Sequence, residues 1–490
     1  MAVALFTSRI VLQALGVTDF GINNVVAGVV GLFGFLSGTL MSITQRFITV
    51  ELGKGNNKAL QKIFSTSMLM HISIGVLIII VAETFGLWFL ENKLVIPADR
   101  MTAARWVFQF TIFGFFLSLF NAPLMALITA HEDMHIYGYL GILDVLIRLA
   151  TAYLLIIINV DKLMFFSIFG FTASCIVSSF YLLYCRKKYH ETRFSFVFDK
   201  SLLREFGGFG GFVFIGNIFW ILQVKGINIL LNMFYGPAVN AAAGLSNSAN
   251  GAVLSFANNF RQALNPPLTK SYAINQKEQA WNLLEYGTRF SFFLLLIFSV
   301  PLILETDFIL KLWLKNVPEF TAIITKLMLL NILVEATFVL INTLILANGK
   351  LKTYYTIAYI NSVLFLLFSY LSCKMSLAPY FPYIILPVLS IFFIPIRFFI
   401  SKKELNLPVL FFIKKALLPI GFVSLISFFP FYFLKKFFIN SPLNSFFIII
   451  ISIIWTCLCI ILFGLRKSEI LKIIALLKSK LFANAVNGDV

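Results

Sequence analysis

Charged residues are scarce in this sequence, and no polar stretch is long enough to form a soluble domain. Only 12% of the 490 residues are Asp, Glu, Lys or Arg, whereas 60% are hydrophobic. Apolar runs separated by short connectors fill the chain, and a helix needs about 20 residues to cross the bilayer core. The runs lack the period-two alternation of barrel strands, so the crossing segments are expected to be helices. The sequence therefore predicts an all-α polytopic membrane protein.

Cysteine and histidine are too sparse and too scattered to form a metal or redox site. The sequence contains four histidines and five cysteines, with no Cys-x-x-Cys pair and no histidine cluster. Because the cysteines lie in or at the ends of apolar runs, we predict small buried thiols, no bound metal and no cofactor. They are Cys175, Cys185, Cys373, Cys457 and Cys459.

Fourteen apolar spans can be assigned, and the first is short because only fifteen residues precede Gly16. If the N-terminus is cytoplasmic, the inner connectors hold 26 Lys and Arg and the outer ones hold 9. Since cytoplasmic loops are enriched in Lys and Arg, this asymmetry predicts that both termini are cytoplasmic. It also accounts for most of the formal net charge of +18, so nucleic acid is not a predicted partner. The spans are residues 1–15, 21–44, 63–90, 106–130, 137–158, 163–184, 208–234, 238–262, 288–310, 321–347, 354–373, 379–400, 409–434 and 443–464.

The two halves share a short repeat that places an arginine 25 residues after an aromatic–glycine pair. The first copy is Phe20-Gly21 with Arg46, and the second is Tyr235-Gly236 with Arg261. Each pair is interpreted as a turn between helices. Six spans separate the copies, and because this number is even, both copies are expected to cross the membrane in the same direction.

The repeat predicts two parallel six-helix lobes around a central cavity, with two further helices appended. The lobes are residues 1–185 and 207–400, joined by a cytoplasmic linker at 186–206. The appended pair is 401–465, and a cytoplasmic tail follows at 466–490. Parallel repeats of this kind build transporters whose substrate site lies between the lobes and alternates its access. The tail pattern over 468–482 fits an amphipathic helix on the inner leaflet or one docked on the protein's own loops.

Polar side chains form stripes on the symmetry-related helices one, two, seven and eight. Such groups are costly in a bilayer and usually face a cavity or one another. Positive charge combined with amide groups suits phosphate or diphosphate and sugar hydroxyls. For the glycine row of the second helix, close helix packing is an equal alternative. The predicted cavity cations are Arg9, Arg46, Lys225 and Arg261, and the predicted polar lining is Asn24, Gln45, Asn217, Asn228, Asn247, Asn250 and Asn258.

Two acidic residues inside the predicted spans, Asp144 and Glu335, are singled out here. Asp144 and Arg148 lie four residues apart on one helix, so they are predicted to neutralise each other as a structural pair. Glu335 shares a helix face with two asparagines. It is a candidate for a proton- or cation-linked coupling carboxylate, and the alternative is a simple ion pair with a cation such as Lys225.

Three stretches of the sequence resemble a known family. Residues Leu15–Val26 resemble the first helix hairpin of bacterial polysaccharide-biosynthesis flippases, as does Gln45-Arg46-Phe47 leading to Glu51–Gly55. Residues Arg261–Ala273 resemble the segment that leaves the eighth helix of that family. The chain thus resembles the O-antigen-type oligosaccharidyl-lipid flippases of the multidrug/oligosaccharidyl-lipid/polysaccharide (MOP) exporter superfamily.

The resemblance implies twelve core helices in two lobes, two more helices, and a transporter rather than an enzyme. The implied activity is translocation of an undecaprenyl-diphosphate-linked oligosaccharide, a repeat unit of lipopolysaccharide O-antigen, capsule or exopolysaccharide. Transport would run by alternating access, from the cytoplasmic to the periplasmic leaflet of the bacterial inner membrane. The implied partners are membrane lipids, a polysaccharide polymerase and glycosyltransferases. The family's cavity cations correspond to Arg9, Arg46 and Arg261, with Lys225 as a looser match.

The sequence leaves two alternative functions, a multidrug exporter and an integral-membrane enzyme. A cation-coupled multidrug exporter of the same superfamily would need a buried carboxylate in its first lobe. The first two spans contain none, and Asp19 is expected to lie in the turn between them. An integral-membrane enzyme would need a sizeable exported loop or acidic residues near the outer surface. The outer loops are short, and Glu91 with Asp99 is the nearby acidic pair.

Overall fold

The computed structural model describes residues 2–55, 57–192, 218–219, 221–348, 351–435, 441–467 and 469–471. Within these ranges the chain forms helices, turns and loops, with no strand. Nine of the described helices are long and apolar enough to cross a membrane, and the number rises to eleven if each of two bent helix pairs counts as one span. The chain is therefore a multi-pass helical membrane protein.

Nineteen helices can be numbered along the described residues. They are α1 (Ala2–Gly31), α2 (Gly34–Lys54), α3 (Asn57–Val81), α4 (Leu87–Asn92), α5 (Met101–Ala130), α6 (Met134–Ile157), α7 (Lys162–Lys188), α8 (221–235), α9 (Pro237–Ala273), α10 (Lys277–Leu304), α11 (Thr306–Leu314), α12 (Thr321–Ala336), α13 (Val339–Ala347), α14 (Leu351–Lys374), α15 (Phe381–Phe392), α16 (Ile394–Leu405), α17 (Val409–Phe412), α18 (Leu418–Leu434) and α19 (Pro442–Cys459). π-helical turns at Ala82–Gly86 and Ile413–Leu417 continue α3 into α4 and α17 into α18, and a third at Ile460–Gly464 extends α19.

The described part of each predicted span is largely helical, although fewer than fourteen helices qualify as spans by composition. The clearest example is α9, which is long but rich in asparagine and serine, so its composition is too polar for a lipid-facing helix. The total of fourteen spans stays a prediction. Most of the predicted linker, 193–206, and most of the tail, 472–490, lie outside the described residues.

The prediction of a turn at Phe20-Gly21 is wrong. Both residues are helical, and the break lies five residues earlier, at Gly16, where φ is 77° and ψ is 173°. A positive φ is strained for residues with a Cβ atom and easy for glycine, so the chain changes direction at Gly16. The second predicted turn is confirmed, because Gly236 has φ +80° and separates α8 from α9. Asp19 accordingly lies inside α1 and not in a turn.

The chain divides into two compact units, of which unit 1 comprises Met1–Ser248, Trp313–Ile324 and Tyr355–Leu386. In unit 1, α5 packs against α1, α2, α3 and α7. Its buried face includes several alanines, which let neighbouring helices approach closely. One core cluster contains Ile48, Leu124 and Cys185, so this cysteine is a packed thiol as expected. The two six-helix lobes, 1–185 and 207–400, were predicted from the internal repeat, and this division stays a prediction.

Unit 2 comprises Ala249–Leu312, Thr325–Tyr354 and Pro387–Val490. Here α10 packs against α13, α18 and α19, and its Phe292 and Phe293 belong to the core cluster. One end of α10 is tied to α18 by Lys435, whose Nζ is 3.0 Å from Oε1 of Glu305. The other end carries a buried ion cluster with the segment after α19. The two helices predicted as an appended pair, α18 and α19, are thus fastened to α10 near both of its ends.

The ion cluster in unit 2 has two arginines and two glutamates. Arg289 Nε is 2.8 Å from Oε1 of Glu285, and both side chains are at most 2% exposed. Arg289 Nη2 is 2.5 Å from Oε1 of Glu469, and Arg466 Nη2 is 2.6 Å from Oε2 of Glu285. Charges this deeply buried are tolerated when each has an opposite partner. The cluster was not predicted from the sequence, because Glu285 and Arg289 lie about 180 residues from Arg466 and Glu469 in the chain.

Candidate functional site

Glycines of α1 bring α8 into close contact within unit 1. A Cβ atom on Gly28 would lie 3.7 Å from the Cβ of Asn228. One on Gly31 would lie 3.2 Å from Cε of Lys225. Helix packing, one of the two interpretations of the glycine row of the predicted second helix, therefore accounts for Gly31, which belongs to that row, and also for Gly28, which does not. Gly38 differs from them, because a Cβ atom there would meet nothing within 4 Å.

Three of the four predicted cavity cations lie in unit 1, on three different helices. Arg9 is half-buried in the first segment of α1, and Lys225 is half-buried on α8. Arg46 is exposed near the end of α2. The fourth, Arg261, belongs to unit 2. The convergence of all four on one cavity stays a prediction.

Arg261 is a buried cation whose guanidinium is only partly satisfied. It is 5% exposed, and its Nη1 donates to Oδ1 of Asn258 at 3.3 Å. Its Nε and Nη2 have no hydrogen-bond partner in the part of the chain that the structure describes. Within the same ranges, Asn250 and Asn265 of α9 each keep a buried side-chain oxygen without a donor. Because an unpaired buried cation is costly, this stretch of α9 suits a ligand that carries both an anionic group and hydroxyl donors.

The other predicted lining residues have varied surroundings. Asn24 Nδ2 donates to the Phe20 carbonyl at 2.8 Å, and the side chain fills the space over Gly244. Asn228 is buried, and its main-chain carbonyl accepts a hydrogen bond from Nδ2 of Asn240 at 2.6 Å. These asparagines serve contacts between helices. Gln45 is half-buried, Asn247 is exposed, and Asn217 lies outside the described residues.

Asn232 was not among the predicted site residues, yet it fixes a loop of unit 1. Its fully buried side chain accepts a hydrogen bond from the Val95 N–H at 2.8 Å and donates to the Val95 carbonyl at 3.3 Å. Val95 lies in the loop between α4 and α5, so one amide binds both main-chain groups of that residue. The sequence did carry a signal, because Asn232 shares the polar face of α8 with Lys225 and Asn228.

A second unforeseen contact in unit 1 joins Arg100 to two aspartates. Nε and Nη2 of Arg100 donate to the two carboxylate oxygens of Asp19 at 2.8 and 2.6 Å, and Nη1 donates to Asp161 at 2.7 Å. Asp161 also accepts from the N–H groups of Leu163 and Met164 at the start of α7. Burial alone would raise the pKa of Asp161, but these donors lower it below its usual value. The Asp19 carboxylate is therefore already held by an arginine.

A polar cluster fixes the loop between α5 and α6 to the end of α7. Nζ of Lys188 donates to Oδ2 of Asp133 at 2.5 Å, and the Tyr189 hydroxyl donates to the same oxygen. Both bonds lower the pKa of Asp133. His131 Nε2 is 2.7 Å from Oε1 of Glu191, and its ring stacks on Tyr189 with centroids 4.4 Å apart. His131 is thus a structural loop residue.

The two intramembrane acids singled out from the sequence are both in ion pairs. Arg148 Nε is 2.8 Å from Oδ2 of Asp144, one helical turn away. Both Nη atoms of Arg397 bind the carboxylate of Glu335, at 2.9 and 3.0 Å. The cation that binds Glu335 in unit 2 is therefore Arg397, and a coupling role for Glu335 stays a prediction. The described residues contain no group of three or more His, Cys, Asp or Glu that could hold a metal ion.

No family model matches the chain, and no curated protein is similar to it.

Solved structures do share the fold. The chain resembles an inward-facing multidrug resistance MATE family transporter of the MOP superfamily with a TM-score of 0.66 and 12% identity, over 83% of this chain and 96% of that one. It resembles the lipid II flippase MurJ in an inward closed conformation with a TM-score of 0.66 and 14% identity, over 94% and 97%. A MOP superfamily transporter from Pyrococcus furiosus, described as having a binding pocket of reverse polarity, resembles the chain with a TM-score of 0.51 and 12% identity, over 83% of this chain and 95% of that one. The chain therefore has the fold found in transporters of the MOP superfamily.

Proposed function

We propose that this protein is a flippase that moves an undecaprenyl-diphosphate-linked oligosaccharide across the bacterial inner membrane by alternating access. The fold shared with a lipid II flippase supports this function over 94% of the chain. The charge distribution over the loops supports an orientation with both termini in the cytoplasm. Glycosyltransferases would act before the transport step, and a polysaccharide polymerase would act after it.

The observation that carries the proposal is that Arg261 is buried with two unpaired guanidinium nitrogens. A guanidinium with two unpaired nitrogens at 5% exposure needs an anion, and a diphosphate accepts such donors in a bidentate manner. The buried amide oxygens of Asn250 and Asn265, which lack a donor within the described residues, are of the kind that accept hydrogen bonds from sugar hydroxyls. A lipid-linked diphosphate glycan offers both kinds of group. We expect Arg9, Arg46 and Lys225 to add positive charge for the same substrate.

A second candidate function is cation-coupled multidrug export. The MATE family transporter matches the fold with the same TM-score, 0.66, as the lipid II flippase. An exporter of cationic drugs needs an available carboxylate in the membrane. In the first two helices the acidic residues are Asp19 and Glu51. Asp19 is bound by Arg100, so this carboxylate is not available to a cationic drug.

The direct test measures accumulation of the lipid-linked glycan in a strain that lacks the gene. The wild-type chain is expected to clear it, whereas Arg261→Ala should cut the transport rate by about tenfold or more, because one charge-assisted contact contributes about 1.5–3 kcal/mol. Arg46→Ala combined with Arg261→Ala should abolish clearance. Arg105→Ala is the matched control, since Arg105 is 54% exposed and paired with Glu91.

Three results would count against the flippase. One is a strain whose lipid-linked glycan is the same with and without the gene. Another is equal clearance by the wild-type chain and by the double variant at equal membrane abundance. The third is a drug-susceptibility panel in which the wild-type chain raises resistance to cationic drugs, which would support the exporter.

Alternating access also predicts a role for Asn232. Asn232→Ala removes both hydrogen bonds to Val95, and at about 1 kcal/mol each their loss should raise opening of this loop by roughly tenfold or more. The reporter is Leu94→Cys in a background without native cysteines, because Leu94 is buried in the same loop. Asn232→Ala should increase the rate at which a membrane-impermeant maleimide labels the Leu94→Cys reporter.

The control for that experiment is Asn92→Ala, whose amide donates to the Trp88 carbonyl within its own helix. Equal labelling rates of Leu94→Cys in the Asn232→Ala, Asn92→Ala and unsubstituted proteins would show that Asn232 does not hold the loop closed.

A further inference from the structure

Two membrane spans are each bent at a short break that lies in unit 2. α12 and α13 meet at an angle of 46°, and α15 and α16 meet at 40°. At the first break the Thr337 hydroxyl donates to the Val334 carbonyl at 2.7 Å, and Phe338 N–H reaches back three residues to Glu335. At the second break Pro395 follows directly and has no N–H to continue the helix. At both breaks the sequence therefore interrupts the helical hydrogen bonds, which makes each a point where the span can change its angle.

Contacts join the two broken spans before, near and beyond their bends. Before the bends, the Ser390 hydroxyl donates to Oδ1 of Asn331 at 3.1 Å. At the bends, the rings of Phe338 and Phe398 are 5.0 Å apart. Beyond them, Asn348 Nδ2 donates to the Glu404 carbonyl at 2.8 Å. Contacts that advance together along both spans mean that the spans run parallel, and α13 packs against α16 beyond the bends.

The ion pair of Glu335 and Arg397 crosses both bends. Glu335 lies in the last turn of α12, before the first break, whereas Arg397 lies in the first turn of α16, after the second. Two parallel N–H···O bonds of 2.9 and 3.0 Å fix the angle between the groups as well as their distance. The guanidinium also lies over the Phe338 ring at 5.4 Å, which itself forms part of the first break.

We propose that Glu335–Arg397 is a lock that holds the two bends, so that α13 and α16 hinge together when it opens. The pair links the first arm of one span to the second arm of the other, so neither span can straighten alone while both bonds remain. Its side chains are 32% and 18% exposed, and charges open on one side within a membrane require water there. The proposal concerns only the movement of unit 2, and it does not depend on which substrate is transported.

Distance measurement between spin labels tests the lock in the full-length protein. Labels replace Lys403, ten residues beyond the second break, and Leu425 on α18, and both positions are exposed in unit 2. Ten residues make an arm of about 15 Å, so straightening a 40° bend would move Lys403 by about 10 Å. In the unsubstituted protein we expect one distance. Glu335→Gln and Arg397→Gln should each add a second population displaced by at least half that amount.

Controls keep the experiment decisive. Ser390→Ala removes a neutral contact between the same spans and is expected to keep the single distance. Arg397→Lys retains the charge but not the bidentate geometry, so it should give a smaller second population. The exchanged pair Glu335→Arg with Arg397→Glu should return most molecules to the original distance. Distributions for Glu335→Gln and Arg397→Lys that superimpose on that of the unsubstituted protein would overturn the proposal.

Discussion

Gly21→Ala is expected to prevent formation of the folded protein. A Cβ atom on Gly21 would lie 1.8 Å from the carbonyl oxygen of Pro237 and 2.6 Å from its carbonyl carbon. These are main-chain atoms at the first residue of α9, so no side-chain rotation can relieve the overlap. Forcing the helices apart should cost about 3 kcal/mol or more, at the upper end of overpacking effects.

The measurement is the yield of monodisperse protein and its thermal unfolding in detergent. Gly38→Ala is the matched control, because a Cβ atom there would meet nothing within 4 Å and alanine is the better helix former. We expect Gly38→Ala to match or slightly exceed the unsubstituted protein. If Gly21→Ala and Gly38→Ala unfolded at the same temperature, the close contact between α1 and α9 would be refuted.

Arg289→Met is expected to destabilise unit 2 by about 3–5 kcal/mol, the usual cost of removing one partner from a buried ion pair. Arg289 is 2% exposed, and it binds Glu285 and Glu469. It also donates from Nη1 to the Gly464 carbonyl at 2.5 Å. Its loss leaves a buried carboxylate without one of its cations, and it frees the segment after α19 from α10.

Thermal unfolding checks this prediction as well, with Arg105→Met as the control. Arg105 pairs with Glu91 in an exposed position, 54% and 37% accessible, where an ion pair contributes about 0–1 kcal/mol. A double variant that adds Glu285→Gln should recover part of the loss, because it removes one of the unpaired charges. Equal unfolding temperatures for Arg289→Met and Arg105→Met would contradict the account of the buried cluster.

The helical membrane class could be predicted from composition because the bilayer imposes one strong rule. Backbone groups in hydrocarbon must bond within their own segment, so long apolar runs become helices whatever they later pack against. The same local reasoning located the break at Gly236, where glycine with a positive φ separates two helices. The same reasoning failed at Gly21, which occupies the position of Gly236 in the internal repeat but serves a close helix contact and not a turn.

Site residues were harder to predict because polar groups in a helix look alike before their partners are known. Asn232 and Asn228 share one face of α8, yet the first binds a loop through Val95 and the second packs against Gly28. Arg261 differs because two nitrogens of its guanidinium have no hydrogen-bond partner within the described residues. No sequence pattern reveals this. Its proposed role accordingly rests on burial and unpaired nitrogens.

The sequence by itself determined the membrane class, the helical character and the positions of most spans, since these follow from hydrophobicity and local backbone preference. Only the tertiary structure decided which charges are neutralised. Arg100 meets Asp19 and Asp161, Arg289 meets Glu469, and Arg397 meets Glu335. These partners lie 60 to 180 residues apart in the chain. Electrostatic pairing depends on distance in space, and packing sets that distance.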